Sequence, residues 1–287
     1  MTDAVASLRF AIYTPNFGVF AEPSFAARTA RIAEDAGWDG WFIWDNLAWE
    51  TELPFADPWV TLAAVAACTT RIRIGPLVTP LPRRRPWTVA RACVTLDRLS
   101  AGRLVLGAGL GGDWYRELSA FGEELDARRR AAMLDEGLEL VTGLWSGEEV
   151  TFEGQHYRVE RVRFLPSPVQ QPRIPIWIAS VWPSRRSLQR AARWDGVVTI
   201  GETENLDPGQ VAELVLAVTT ERQDAGRHGP FEVAVPARSG GLRPEARRAK
   251  VVAVANAGAT WWLEALDPTM SADEVEALVS AGPPTSD

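Results

Sequence analysis

Cysteine and histidine are scarce in this sequence. Its 287 residues include two cysteines, Cys68 and Cys93, and two histidines, His156 and His228. A zinc site or a framework of disulfides needs several such residues at close spacing. The sequence therefore predicts neither a metal site nor a disulfide-stabilised secreted domain, and we interpret both cysteines as small core residues.

Long apolar runs are also missing. No stretch approaches about 18 uninterrupted apolar residues, and the N-terminus, MTDAVASLRF, has neither the basic start nor the apolar segment of a signal peptide. These absences predict a cytoplasmic protein with no membrane partner. The net charge of -7 argues against a nucleic-acid partner, despite the basic run Arg83–Arg85.

Apolar strand-like runs alternate with helical patterns along the chain. The eight runs are Leu8–Tyr13, Gly40–Trp44, Ile72–Thr79, Leu104–Ala108, Ile174–Ala179, Gly196–Ile200, Phe231–Pro236 and Thr260–Leu266. Such alternation predicts parallel strands joined by right-handed crossovers, and eight of them close a barrel. We therefore predict an α/β fold, one (β/α)8 TIM barrel forming a single domain over residues 1–287. A short hairpin, with Glu153 and Gly154 at its turn, is predicted before strand five.

Polar residues follow the second strand directly. The run Trp41–Trp44 predicts a strand buried on both faces, and Asp45 and Asn46 come next. In a barrel of this kind, the carboxyl ends of the strands face the active-site mouth. A carboxylate at the end of a buried strand is costly without a partner, so Asp45 is a candidate functional residue.

Small and polar residues also end the fourth and fifth strands. The fourth ends in Gly107–Gly112 and the fifth in Ala179–Ser184. Glycines allow close backbone approach to a phosphate, and serine hydroxyls at a helix start can bind an anion. A glycine turn of purely geometric use, and a simple helix cap by Ser184, are the alternatives. Two such sites on successive strands favour one shared phosphorylated ligand. The run Arg83–Arg85 is either a solvated face or a source of cations for an anionic group.

Longer segments of the chain resemble one known family. They include GWDGWFIWDN, RIRIGPLVTP, the helix at Arg85–Arg91, DRLSAGRLVLGAGLG, Glu117 with residues 120–122, GLELVTGLWSGEEVTFEGQHYRV and PSPVQQPRIPIWIAS, and they cover about residues 8 to 201 in family order. These segments resemble the luciferase-like, flavin-dependent oxidoreductases. That family includes FMN monooxygenases and enzymes that use the deazaflavin coenzyme F420.

The resemblance implies where a cofactor would bind. It implies FMN or coenzyme F420 at the carboxyl face of the barrel, with the phosphate near two groups of residues: Gly109, Leu110 and Gly111, and Ala179, Ser180 and Ser184. It also implies a non-prolyl cis peptide bond in strand three, between Pro76 and Leu77, against the cofactor ring.

The chain departs from many relatives at Asn46, where they have a catalytic histidine. An amide cannot exchange a proton near neutral pH. If the reaction needs proton transfer, the candidates are Asp45, Asp113 and Glu202, each near a strand end. The predicted catalytic residues are thus Asp45, Asn46 and Asp113.

The predicted function is that of a flavoprotein oxidoreductase. We expect a luciferase-like monooxygenase that uses reduced FMN and dioxygen on a small, largely apolar organic substrate. A separate flavin reductase and a second copy of the chain, forming a homodimer, are the expected partners. The alternatives are an F420-dependent dehydrogenase or reductase, and a catalytically silent cofactor-binding barrel, which Asn46 permits. Tryptophans such as Trp44, Trp49, Trp114, Trp177 and Trp182 are candidates for the pocket walls, although most of the 13 tryptophans are expected in the core.

Overall fold

Parallel strands and helices alternate through the structure, a computed structural model that describes residues 8–48, 52–200 and 206–284. The strands are β1 (Arg9–Thr14), β2 (Gly40–Ile43), β3 (Arg73–Pro76), β4 (Thr79–Pro80), β5 (Leu106–Gly109), β6 (Glu149–Glu153), β7 (Arg158–Arg163), β8 (Ile176–Ser180), β9 (Gly196–Thr199), β10 (Glu232–Ala237) and β11 (Trp261–Ala265). The α-helices are α1 (Pro23–Asp35), α2 (Pro58–Cys68), α3 (Pro86–Leu99), α4 (Ala127–Trp145), α5 (Arg185–Ala191), α6 (Pro208–Asp224), α7 (Pro244–Asn256) and α8 (Ala272–Ser280).

The strands form the predicted TIM barrel. Nine of them make one parallel sheet in the order β3-β2-β1-β11-β10-β9-β8-β5-β4. The two edges meet where Ile74 of β3 bridges Leu104, just before β5. Gly75 allows this contact, since a Cβ atom there would lie 2.0 Å from the Val105 carbonyl oxygen. The prediction of a (β/α)8 barrel is therefore confirmed.

The third predicted strand is divided into β3 and β4, which have different neighbours. β3 pairs with β2, whereas β4 pairs with the end of β5. A non-prolyl cis peptide bond lies between the two segments, at Leu77–Val78. The predicted position, Pro76–Leu77, was therefore wrong by one residue. The backbone amide of Leu77 still donates to the Ile43 carbonyl (2.8 Å), so this segment stays hydrogen-bonded to β2 up to Leu77.

Proline marks the start of five described helices. Pro23, Pro58, Pro86, Pro208 and Pro244 each occupy the first turn of their helix. Proline suits this position because its fixed φ angle is helical and the missing N–H would have no intrahelical partner. These prolines set where the chain enters each helix after leaving the barrel or its loops.

A hairpin interrupts the alternation between α4 and β8. Strands β6 and β7 pair antiparallel, with Glu153 opposite Arg158, and the Gly154 amide donates to the Tyr157 carbonyl across the turn. The hairpin packs on the outer shell through Val150, Phe152, Val159 and Val162. It therefore lies apart from the barrel interior.

Two apolar clusters form the core. The larger one fills the space between the strands and the surrounding helices. The smaller one lies inside the barrel and includes Tyr13, Phe42, Leu77, Trp177 and Trp261. Among the residues described, no helix is both long and apolar enough to cross a membrane.

Glu34 ties the end of α1 to the segment before β3. This carboxylate is buried and accepts hydrogen bonds from the backbone amides of residues 70, 71 and 72. Burial alone would raise the pKa of Glu34, but the hydrogen bonds from Arg71, Thr70 and Ile72 together lower that pKa to about 2.

We therefore expect the free energy of unfolding to fall as the pH drops from about 4.5 to about 2. The folded-state pKa of Glu34 is below its unfolded value, so its contribution is complete above pH 4.5 and is lost on protonation. The full effect is about 3 kcal/mol. Denaturant titrations across this range should show Glu34→Gln losing that part of the pH dependence. The control Glu153→Gln, whose side chain is 77% exposed, should keep it.

Candidate active site

The carboxyl end of the barrel has small residues on one side and aromatic residues on the other. Alternation along β1 and β2 brings Tyr13 and Trp44 to the interior at the mouth. On the opposite side, the corresponding positions of β5 and β8 are Gly109 and Ala179. A ligand at the mouth would therefore meet small residues on one side and aromatic residues on the other.

Gly109 lies between two of the predicted cofactor-binding segments. A Cβ atom at this position would lie 2.9 Å from Val78 Cγ2 and 3.0 Å from Ala179 Cβ. The structure therefore brings together the cis peptide bond at Leu77–Val78, the end of β5 and the end of β8. Pro76 lies below, since a Cβ atom at Gly107 would meet its carbonyl oxygen at 2.3 Å.

The segment after β5 presents free backbone donors. The amides of Leu110, Gly111 and Gly112 donate to no other group of the described residues. All three residues are partly exposed, and Gly111 has a φ angle of 70° that favours glycine. Successive free amides of this kind form a concave anion site, which suits a phosphate.

Among the predicted cofactor-binding residues Leu110, Ser180 and Ser184, only Ser184 has a free polar side chain. Leu110 packs on the outer apolar shell. Ser180 is fully buried, and its hydroxyl lies 2.7 Å from the Ser187 hydroxyl on α5. Ser184 is exposed at the start of α5 and makes no capping hydrogen bond. The Ser184 amide already donates to the Val181 carbonyl (2.8 Å), so at this position the exposed hydroxyl, and not the backbone, is available to a ligand.

Asp45 is the centre of a buried ion cluster. Its Oδ1 atom accepts hydrogen bonds from Arg83 Nη2 (2.9 Å) and Arg84 Nη2 (2.8 Å). Its Oδ2 atom accepts from Thr79 Oγ1 (2.8 Å) and Arg84 Nε (3.1 Å). The Asp45 side chain has no exposed surface. Both oxygens are thus occupied, so the carboxylate is placed as an anchor and not as an open proton acceptor.

The loop after β2 is held by its backbone. Glu117 accepts hydrogen bonds from the amides of Leu47 and Ala48, and it also pairs with Arg83. The buried Asn16 side chain accepts from the Asn46 amide (3.2 Å) and donates to the Asn46 carbonyl (2.8 Å). The Asn46 side-chain amide makes no hydrogen bond within the described part of the chain. That amide is therefore available to a ligand.

Asp113 caps a turn. Its Oδ1 atom accepts from the backbone amides of Leu118 and Ser119, each at 2.9 Å. The hydrogen bond from the Ser119 backbone is the main reason that the pKa of Asp113 lies below its usual range. A carboxylate with a lowered pKa is a weak base, which makes Asp113 poorly suited to proton abstraction. Glu202 lies outside the described residues.

Among the named tryptophans, Trp44 lies on the aromatic side of the mouth, and the ring of Trp114 lies against Gly112 in the segment after β5. Its ring lies 5.7 Å from Tyr13 and 5.9 Å from Phe17 between centroids, and its Nε1 atom is buried without a hydrogen-bond partner in the described chain. Trp177 lies deeper, in tilted ring contacts with Phe42 and Trp261. Trp114 is 64% exposed, Trp182 packs on the outer shell, and Trp49 lies outside the described residues.

Sequence reasoning missed three contributors to this site. Tyr13 donates its hydroxyl to the Leu77 carbonyl oxygen at the cis peptide bond (2.8 Å). Asn16 and Glu117 hold the loop after β2. The signal for Tyr13 was its inward position two residues after Ala11 in β1. The described residues contain no group of three or more histidine, cysteine or carboxylate side chains that would hold a metal ion.

A barrel with a glycine-lined cradle and free amides at its carboxyl mouth is typical of barrel enzymes that bind a phosphorylated ligand. The chain belongs to the luciferase-like monooxygenase family, whose pattern matches residues 8–274. It is therefore an oxidoreductase of the flavin- and F420-dependent kind.

Individual relatives agree with this assignment. An F420-dependent glucose-6-phosphate dehydrogenase of Nakamurella multipartita is 34% identical over 189 residues, which cover 64% of this chain and 54% of that protein. Monooxygenase RslO1 from Streptomyces bottropensis has the same fold, with a TM-score of 0.79 at 22% identity and coverage of 95% and 96%. So does an F420-dependent secondary alcohol dehydrogenase solved with an F420-acetone adduct, with a TM-score of 0.79 at 16% identity and coverage of 96% and 98%.

Proposed function

We propose that this protein binds FMN or coenzyme F420 at the carboxyl mouth of the barrel and oxidises or reduces a small organic substrate there. The observation that carries the proposal is the cradle formed by Gly109, Ala179 and the Leu77–Val78 segment, beside the free amides of residues 110–112. We assign the ring of the cofactor to the first part and its phosphate to the second. When bound, such a cofactor supplies the hydride or oxygen chemistry.

The residues of the chain have distinct roles in this proposal. The amides of Leu110, Gly111 and Gly112 hold the phosphate, together with the exposed hydroxyl of Ser184, while Ala179 and Ser180 form the end of β8 beside them. Tyr13 fixes the Leu77 carbonyl beneath the ring, and Trp44 covers the aromatic side of the mouth. Asp45 anchors the loop from which the side chain of Asn46 donates to or accepts from the substrate. Closure of the mouth by these groups excludes water from the reacting atoms.

An F420-dependent dehydrogenase or reductase is the form of this function that we favour. The relative from Nakamurella multipartita, at 34% identity, carries that name, although the chain spans only about half of its length. The FMN monooxygenase predicted from the sequence is the second candidate, supported by the description of the matching family. A separate flavin reductase belongs to the second candidate alone. For both we propose a cytoplasmic homodimer with one barrel domain per chain.

Cofactor titrations distinguish the two candidates. We expect purified protein to bind F420 more tightly than oxidised or reduced FMN, because F420 is the coenzyme named for the relative that shares most identity among those compared above. The measurement is the change in cofactor absorbance or fluorescence on titration with protein. Tighter binding of reduced FMN would favour the monooxygenase. Failure of all three cofactors to bind would refute the proposed function.

A further inference from the structure

Three charged side chains lie at the amino end of the barrel, opposite the proposed active site. Arg9, Arg73 and Glu232 are the first residues of β1, β3 and β10. Side chains alternate along a strand, and each of the three lies an even number of residues before a member of the interior cluster, namely Ala11, Leu77 and Ala234. The three side chains therefore belong to the floor of the barrel, and the function proposed above uses none of them.

Glu232 pairs with Arg9. Both carboxylate oxygens of Glu232 accept hydrogen bonds from Arg9 Nη2, and Oε2 also accepts from Thr260 Oγ1 (2.6 Å). The Arg9 guanidinium also lies over the ring of Trp261, with Cζ 4.5 Å from the ring centroid. One carboxylate of the floor thus neutralises one arginine, and the charge of Arg73 remains.

Arg73 has no carboxylate partner among the residues that the structure describes. Its Nη1 atom donates to the side-chain oxygen of Gln170 (2.9 Å) and to the Gly102 carbonyl (3.4 Å), which are both neutral. Its Nε and Nη2 atoms donate to no group of that part of the chain. Burial is the main reason that the pKa of the Arg73 guanidinium lies below its usual value, and the charge of Arg9 adds to this effect. The floor therefore holds an unpaired cation with free donors.

Two other carboxylates near the floor are already engaged. Asp97 is fully buried and accepts hydrogen bonds from the Gln170 amide (3.2 Å) and side chain (2.7 Å). Asp39 accepts from the Phe10 amide (2.8 Å), although its own carbonyl accepts from the Arg73 amide (2.9 Å). Neither carboxylate bonds to the Arg73 guanidinium, so an anion from solution would supply the missing partner.

We propose that the floor of the barrel binds a small, doubly charged oxyanion of the phosphate type, held by the Nε and Nη2 donors of Arg73 with Arg9 adding positive potential. Arg73 is partly exposed and the Arg9 side chain is 40% exposed, so solvent reaches both residues. Adjacent N–H groups of a guanidinium match two oxygens of a phosphate, and such charge-assisted bonds are stronger than neutral ones. The site lies at the other end of the barrel from the cofactor cradle and is independent of the proposed function.

Calorimetry with small anions tests the site. The full-length protein, in a buffer without oxyanions, is titrated with inorganic phosphate, sulfate, chloride and glycerol 3-phosphate. We expect phosphate and sulfate to bind, and chloride to bind at least about 10-fold more weakly because it cannot accept two parallel hydrogen bonds in the same way. Glycerol 3-phosphate binding as tightly as phosphate would extend the site to phosphate groups of metabolites, and weaker binding would restrict it to the free ion. Absence of phosphate and sulfate binding would overturn the inference.

A matched pair of variants locates the bound anion. Arg73→Gln should weaken phosphate binding by about 10-fold or more, because it removes the cation and its free donors. The control is Arg98→Gln, since Arg98 is exposed on α3 and also donates to a neutral backbone carbonyl, that of Ser167 (3.4 Å). Arg98→Gln should bind phosphate like the parent protein. An affinity of Arg73→Gln equal to that of the parent would overturn the inference.

Glu232→Gln should have the opposite effect. It removes the negative charge that repels the anion and that neutralises Arg9, so phosphate should bind about 3-fold more tightly or better. This variant keeps the test decisive if Arg73→Gln does not fold. Unchanged or weaker binding by a folded Glu232→Gln protein would overturn the inference.

The floor site and the proposed function fail separately. Phosphate held at the mouth, by the free amides after β5, would be unaffected by both floor variants, and that result would overturn the inference. A protein that binds phosphate through Arg73 but binds neither FMN nor F420 would keep the floor site and refute only the proposed function.

Discussion

Replacement of Asp45 by alanine is expected to lower the free energy of unfolding by about 3–5 kcal/mol, the usual range for removing one member of a buried ion pair. The change leaves Arg83, whose side chain is only 4% exposed, without one of its two carboxylate partners. It also removes the acceptor of the Thr79 hydroxyl. Denaturant unfolding of both proteins at neutral pH gives the difference directly.

Asp35→Ala is the matched control for this prediction. Asp35 also pairs with an arginine, Arg31, but both side chains are more than half exposed. Exposed pairs of this type contribute about 0.5 kcal/mol or less. If Asp45→Ala were as mild as Asp35→Ala, the cluster would not anchor the loop, and the role given to Asp45 would be wrong.

Kinetics then separate Asp45 from Asn46. Asp45→Asn should lower turnover by about 100-fold, because the loop that carries Asn46 loses its position. Asn46→Ala should raise KM more than it lowers turnover, because it removes a hydrogen bond to the bound substrate. A fully active Asp45→Asn protein beside an inactive Asn46→Ala protein would make Asn46 the catalytic group.

Gly109→Val should abolish most cofactor binding. The new side chain would enter the space between Val78 and Ala179, where even a Cβ atom is at 2.9–3.0 Å from its neighbours. We expect a loss of about 1–3 kcal/mol, or about 5- to 150-fold in affinity for FMN or F420, with the barrel still folded. Titration of cofactor fluorescence measures the loss, and circular dichroism reports the fold.

The same substitution at Gly143 provides a control. Gly143 lies on α4, and a Cβ atom there would meet only Val150 Cγ1, at an ordinary 3.9 Å. Gly143→Val should bind cofactor like the parent protein. A folded Gly109→Val protein with unchanged affinity for both cofactors would place the cofactor elsewhere in the molecule.

The barrel could be predicted from the sequence because its signal is local. Each buried strand is a short apolar run, and the proline at the start of a helix marks the next crossover, so the eight runs lie close to the observed strands. The place where β3 gives way to β4 could not be predicted from residues 72–79 alone. It depends on which neighbour, β2 or β5, each residue pairs with.

The sequence predicted where the candidate site lies in the barrel, but not which residues contact each other there. Asp45, Gly109 and Ala179 lie at the carboxyl ends of β2, β5 and β8, as the sequence predicts, and their roles in binding or catalysis stay predictions. The partners of Asp45 escaped prediction because Arg83 is 38 positions further along the chain, and a basic run is equally typical of a solvated surface. Of the three arginines, only Arg85 is exposed, as expected for a solvated surface.

The hydrogen bonds that hold the loop after β2 do not involve the side chain of Asn46. Asn16 holds this residue by its amide and carbonyl, and Glu117 holds the next two residues by their amides. On the loop, every one of these bonds uses main-chain N–H or C=O groups, which do not depend on the side chain at position 46. The side chain at position 46 therefore makes none of the hydrogen bonds that hold the loop. A different residue at this position could contact a different substrate while the loop keeps its conformation.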